Sequence, residues 1–301
     1  MTALASRADA WLRAACPAER LAAVRALVGA YATVYVLARF RYFADLSGLD
    51  RAAFAPVGAM HAWSGPPAAW LSWVFTAVAL ASSFALALGV RHRVTAPLAA
   101  LSLLWIFSAR SSWGKVLHTE NLLVLHAAVL ACAPAADAWS LDARRAAAPP
   151  EPASRYGWPL RAMSVVTALT YFVAGVAKLR EGGLAWLSGA PLAEWLAWDA
   201  VRKAELGSMH SPLAPTLASH GTLTAALATF TLAVELAAPF VLASPRAARA
   251  WALSAWGFHA GVLATMAIGF FYPLTFIAYV ALFDVETIVS RVRARFSGRP
   301  R

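Results

Sequence analysis

Apolar and polar positions in this chain fall in long blocks and do not alternate finely. Residues 21–37 are apolar apart from Arg25, and seven further apolar blocks follow at 69–90, 94–108, 116–134, 160–179, 223–242, 250–267 and 268–283. A helix needs about 20 residues to cross the hydrocarbon core of a bilayer. Most of the blocks approach that length, and 94–108 and 268–283 are the short ones. Lipid supplies no water to satisfy a free backbone N–H or C=O, so spans of this kind are helical. The pattern predicts an all-α fold, a polytopic transmembrane helix bundle with about eight spans. Residues 183–198, with Gly183, Trp186, Trp195 and Trp198, predict a short interfacial or re-entrant helix, because tryptophan favours the headgroup level.

The flanks divide the chain further. Residues 1–20 form a mixed N-terminal segment, 21–283 the transmembrane domain, and 284–301 a tail. The first block is too long for the apolar core of a secretory signal and is read as a retained helix. The tail sets Ile288, Val289, Val292 and Phe296 among five arginines, the pattern of an amphipathic helix on a leaflet surface or of a frayed end. The proline-rich stretch 146–159 (AAAPPEPASRYGWP) is the clearest linker and separates two groups of four blocks. No internal repeat is visible, which gives little support to a transporter built from inverted halves.

Composition narrows the class. Apolar residues make up 60% of the 301 and charged residues 14%, against about 25% charged in a typical soluble chain. The net charge of +11 suits basic loops facing anionic lipid. Without a basic and aromatic surface module it does not point to nucleic acid. With the N-terminus placed in the cytoplasm, sixteen basic residues fall inside and eight outside, so the positive-inside rule favours both termini cytoplasmic. Three lysines against 23 arginines, with abundant alanine, suggest a GC-rich bacterial genome and hence a bacterial inner (plasma) membrane. Cys16 and Cys132 show no disulfide or metal spacing.

Ionisable groups at membrane depth are expensive, so each invites a functional reading with a named partner. The competing reading is a packing role, with polar side chains bonding across helices. Lys178 closes an apolar run and could be a base, since a neutral buried amine is reactive, or a lysine that snorkels to the interface. His118 and Asn121, three apart, would share a helix face, with Glu120 turned toward a neighbour and His126 deeper in the same span. Their spacing is no known metal pattern. Glu235, four residues before Pro239, should be protonated or paired, with Lys178 or His259 as the candidate partner. Soluble-enzyme signatures such as GxSxG, a P-loop or HExxH are absent.

Several segments resemble the HTTM (horizontally transferred transmembrane domain) family, which is similar to the membrane portion of vitamin K-dependent gamma-carboxylase. The likeness runs from about Val24 to Phe283. Its clearest element is YFVAGVAKL at 171–179, followed by Trp186. Others are Ser112-Trp113 through His118 and Asn121, the run ADAWSLD at 136–142, Glu235 with Pro239, and Phe258-His259 leading into IGFFYP at 268–273. The resemblance implies Lys178 as base toward a reduced quinone (vitamin K hydroquinone-like) cofactor. In the carboxylase, oxygenation then yields a strong alkoxide base that removes a glutamate γ-proton before carbon dioxide adds. His118 and His259 are further catalytic candidates, and Glu120, Asn121, Glu235 and Trp186 are substrate-binding ones. Three departures from the carboxylase pattern bear on peptide carboxylation. The chain ends soon after the last block, without the region that holds the carboxylase's peptide substrate. Ala177 replaces one lysine of the run, and HTEN at 118–121 replaces an Asn-His pair. Three readings stand: an enzyme acting on a quinol-like or lipid-like ligand, a non-catalytic membrane partner or subunit of a redox or maturation complex, and a transporter.

Overall fold

The computed structural model describes residues 3–145 and 150–296. It is helical throughout, and its sole β feature among the described residues is an isolated bridge between Cys16 and Ala153. The main helices are α1 (Ala3–Leu12), α2 (Ala18–Ala38), α3 (Ala69–Leu88), α4 (His92–Ser111), α5 (Asn121–Ala131), α6 (Ser154–Gly182), α7 (Ala190–Glu205), α8 (Gly221–Leu236), α9 (Pro245–Met266) and α10 (Val285–Phe296). Part of the linker and the last five residues of the tail lie outside the described residues.

Four stretches are long and apolar enough to cross a membrane: Ala18–Ala38, Ala69–Leu88, His92–Ser111 and Ser154–Ser188. Only a third of the most apolar window of α3 is buried within the protein. Trp70, Phe84, Leu101 and Val173 each expose more than half of their surface. Outward apolar stripes on this scale are foreign to a water-facing surface and suit contact with lipid.

The other predicted spans take different forms, for local reasons. The block 116–134 forms only the eleven-residue α5. The block 223–242 stops as α-helix at Leu236 and tightens into a 3₁₀ turn at Ala238–Leu242, because Pro239 has no N–H and its ring opposes continuation. Block 250–267 starts earlier, at Pro245, where Ser244 Oγ accepts from Ala247 N at 3.2 Å. Block 268–283 is no single helix: Ala267 adopts a left-handed φ of 51°, and only Phe271–Leu274 and a 3₁₀ stretch at Ile277–Leu282 are wound.

The chain divides into two compact units, Met1–Met163 with Phe283–Arg301, and Ser164–Leu282. The division falls inside α6 and not in the proline-rich linker, since a continuous helix carries the chain from one unit to the next. In the first unit α3 packs on α2 and α4, and α5 on α4. Gly29 of α2 permits the α2–α3 approach: a Cβ there would lie 2.5 Å from Ala87 N. Arg20, at the start of α2, bonds Asp284 at 2.5 Å and Glu286 at 2.7 Å, so the two ends of the chain meet at one end of α2.

The first unit is pinned by Arg25, which is fully buried. Its guanidinium donates to four carbonyls: Ala135 O at 3.0 Å, Leu86 O at 2.7 Å, Ala87 O at 2.8 Å and Trp139 O at 2.7 Å. Both Leu86 and Ala87 lie at the C-terminus of α3, the negative end of a helix, where carbonyls run short of partners; Leu86 O also accepts from Gly89 N at 3.1 Å. Gly89, with φ 64°, closes α3 where a Cβ would strike Ser140 and lie 2.6 Å from Arg25 Nη1.

Candidate functional site

Within the second unit, helix α6 carries a polar seam. Thr167, Tyr171, Gly175 and Lys178 follow one another at spacings of four, four and three, which keeps them on one helix face. Thr167 Oγ1 donates to Ala278 O at 3.4 Å. Tyr171 OH lies 2.7 Å from both His259 Nε2 and Tyr279 OH. The Trp251 ring sits edge-on to Tyr171, centroids 4.9 Å apart, and its indole N–H donates to Val234 O at 2.8 Å. That bond ties the aromatic cluster to the residue preceding Glu235.

Gly175 decides the next contact. A Cβ on it would come within 2.9 Å of Glu235 Cβ and 3.1 Å of Leu236. Its absence lets α6 and α8 close far enough for Lys178 Nζ to reach Glu235 Oε1 at 2.5 Å. The pair is asymmetric. The Lys178 side chain keeps 24% of its surface, while Glu235 keeps 3%. Glu235 Oε2 is buried without a hydrogen-bond partner among the described residues. Trp186 stands beside the amine, its ring centroid 5.8 Å from Nζ. Gly182 makes room for that indole, since a Cβ there would lie 2.6 Å from Trp186 Nε1.

The candidate residues of the first unit form a separate group. Glu120, 5% exposed, is held by the Tyr35 hydroxyl, by Arg110 Nη1 and by Thr119 Oγ1, the last at 2.5 Å. The Arg39 guanidinium lies 4.3 Å from the Tyr35 ring centre. His118 and Asn121 do not share a helix face, because α5 starts only at Asn121 and His118 precedes it in a turn, its carbonyl accepting from Asn121 N. Both are exposed. His126 is fully buried and bonds the backbone of Met163. Of the seven candidates, Lys178, Glu235 and Trp186 thus come together, and His259 is joined through Tyr171 to the helix that carries Lys178. Glu120, His118 and Asn121 belong to the other unit. Sequence reasoning passed over Tyr171, Tyr279 and Trp251, although Tyr171 stands two turns before Lys178 on its face. Arg25 was noticed merely as an interruption of an apolar block.

A bundle with four bilayer-length apolar stretches, lipid-compatible outer faces and buried ion pairs among its helices is an integral membrane protein. The HTTM domain model matches residues 14–286, and the chain belongs to the HTTM family. Neither a curated protein nor a solved structure matches it.

Proposed function

We propose that this HTTM protein is an enzyme of the bacterial inner membrane, with both termini cytoplasmic, in which Lys178 acts as base toward a reduced quinone or a comparable lipid-like hydroxyl ligand. The observation that carries the reading is a partly open lysine bound to a buried carboxylate whose second oxygen has no hydrogen-bond partner. The residues present fit an aromatic diol. Trp186, seated against Gly182, offers a flat face next to the amine, and Glu235 Oε2 offers a free acceptor. A reduced quinone, when bound, supplies an acidic hydroxyl and reducing electrons.

Lys178 and Glu235 then hold and move the proton. Glu235 Oε1 takes the ammonium proton, and Nζ becomes free to accept one from the ligand hydroxyl. Passing a proton within a buried pair leaves no isolated charge in a medium of low dielectric. Tyr171 and His259 position the face of α6 that bears the lysine. His118, exposed in its turn, is given no role.

The alternative, a non-catalytic partner or subunit of a redox or maturation complex, is favoured by the Gly175 contact, which makes the same pair a tie between α6 and α8. Amine labelling of the full chain in detergent separates the two readings. Lys115, Lys178 and Lys203 are the only lysines, so peptide mass spectrometry resolves each. The enzyme reading expects a short-chain reduced quinone to protect Lys178 and leave Lys115 and Lys203 unchanged. Equal labelling of Lys178 with and without it would reject the base and leave the tie.

A further inference from the structure

Away from the Lys178 pair, the first unit contains an open cleft of about 430 Å³ where α3 ends, lined by Ala87, Leu88, Trp139, Ser140, Leu141 and Arg144 among others. Its walls are of two kinds. Leu88 and Leu141 each keep more than a third of their surface exposed, and they stand at the end of a bilayer-length apolar helix. Arg144 on the 3₁₀ turn Asp142–Arg145 is exposed and brings a fixed cation to the same cleft.

The charge around the cleft is one-sided. Residues 85–95 and 139–145 contain Arg91, Arg93, Arg144 and Arg145 against the single acid Asp142. Both carboxylate oxygens of Asp142 are engaged, accepting from Arg91 N and His92 N at 2.9 Å. Arg25 adjoins the cleft, bonded to four carbonyls, two of them those of the lining residues Ala87 and Trp139. Trp139 is held there with φ 42°, a conformation that non-glycine residues keep only where their surroundings enforce it.

We infer that this cleft binds the phosphodiester headgroup of an anionic phospholipid, with Arg144 on the phosphate and the acyl chains following Leu88 and Leu141 along α3. Arginine is suited to the phosphate oxygens because its planar fork can donate to two of them at once. The adjoining leucines favour a lipid over a free anion, which would gain nothing from them.

The test is native mass spectrometry of the full chain titrated with phosphatidylglycerol or phosphatidylcholine of matched acyl chains, with thermal melting as a folding control. Wild type is expected to retain one phosphatidylglycerol in preference to phosphatidylcholine. Arg144→Gln should weaken that retention about tenfold, the scale of one charge-assisted hydrogen bond, and Arg144→Lys should recover part of it. Arg93→Gln, which removes an equal charge outside the lining, should leave it unchanged. An Arg144→Gln protein that binds like wild type overturns the site. So does an Arg93→Gln protein that loses as much, because the preference would then be diffuse surface charge. Displacement of the lipid by millimolar inorganic phosphate would show a free-anion site and overturn the lipid assignment.

Discussion

Each unit holds a cation among its helices, and the two are treated in opposite ways. Arg25 is fully enclosed and gives hydrogen bonds to four carbonyls from two later segments. Lys178 keeps a quarter of its surface and, among the described residues, gives its one hydrogen bond to Glu235. A guanidinium cannot release its proton in a protein, so the first arrangement only holds structure. An ammonium held by one carboxylate keeps donors to spare. One cation is saturated with acceptors and the other is not.

The largest expected effect breaks the first half of that contrast. Arg25→Leu strips four carbonyls of their donor and should destabilise the protein by about 3–5 kcal/mol, the usual result of removing one side of a buried charged network. Thermal melting in detergent is the measurement, and a melting point equal to wild type would show that Arg25 is not the pin of this unit. Arg25→Lys, with three donors in a different geometry, should rescue little.

Gly175→Val acts on the second half. Its side chain must displace Glu235 or Leu236, a strain of about 1–3 kcal/mol, and should separate the ion pair. Faster amine labelling of Lys178 is the specific readout, and unchanged labelling would mean that α6 and α8 do not depend on that glycine for contact. Lys178→Arg should be milder in stability, within about 1 kcal/mol because charge and pairing survive, yet it should remove any dependence on reduced quinone. A quinone-dependent signal that persists in Lys178→Arg would rule out the lysine as base.

The smallest effect concerns Asp142, outside the spans. Slight desolvation pushes its carboxyl upward, but the backbone N–H groups of His92 and Arg91 and the charges of His92 and Arg25 outweigh this, holding it below the ordinary carboxylate range. A group whose folded value is depressed stabilises the fold above its unfolded value, about 3.9 for aspartate, and loses that contribution as pH falls through the folded value. Asp142→Ala should therefore cost about 0.5–1 kcal/mol at neutral pH, the scale of a helix cap. The difference from wild type should shrink below about pH 4. A difference that does not change down to strongly acidic pH would show that the carboxylate charge is not what caps α4.

How far the sequence discloses this molecule depends on which atoms make each contact. Apolar blocks encode α2, α3, α4 and α6 because a lipid-facing helix must be apolar along its length. The seam Thr167, Tyr171, Gly175 and Lys178 is legible as helical spacing. Its complement is not: Glu235 lies 57 residues from Lys178, and a lone acid in an apolar block names no partner. Arg25 hides its partners more deeply still, since backbone carbonyls carry no side-chain signature. The misplaced His118–Asn121 pair shows the weakness of spacing arguments at helix ends, where a helix that starts three residues later removes the shared face. Pro239 stands in an apolar block, but whether a proline kinks a helix or ends it is decided by what packs against the freed carbonyls.

Arg25 also has a consequence for how the chain is made. Its last acceptor, Trp139 O, is 114 residues further along. At about 5–20 residues per second of synthesis, α2 enters the membrane many seconds before that acceptor leaves the ribosome. Until then the guanidinium, a charge worth up to about 2.5–3.5 kcal/mol against insertion, has at most the Leu86 and Ala87 carbonyls of its final set to bond. The first span is therefore a provisional insertion, confirmed only when the loop after α5 emerges. Nascent chains cut short of residue 135 should sit in the translocon longer than those that reach residue 140.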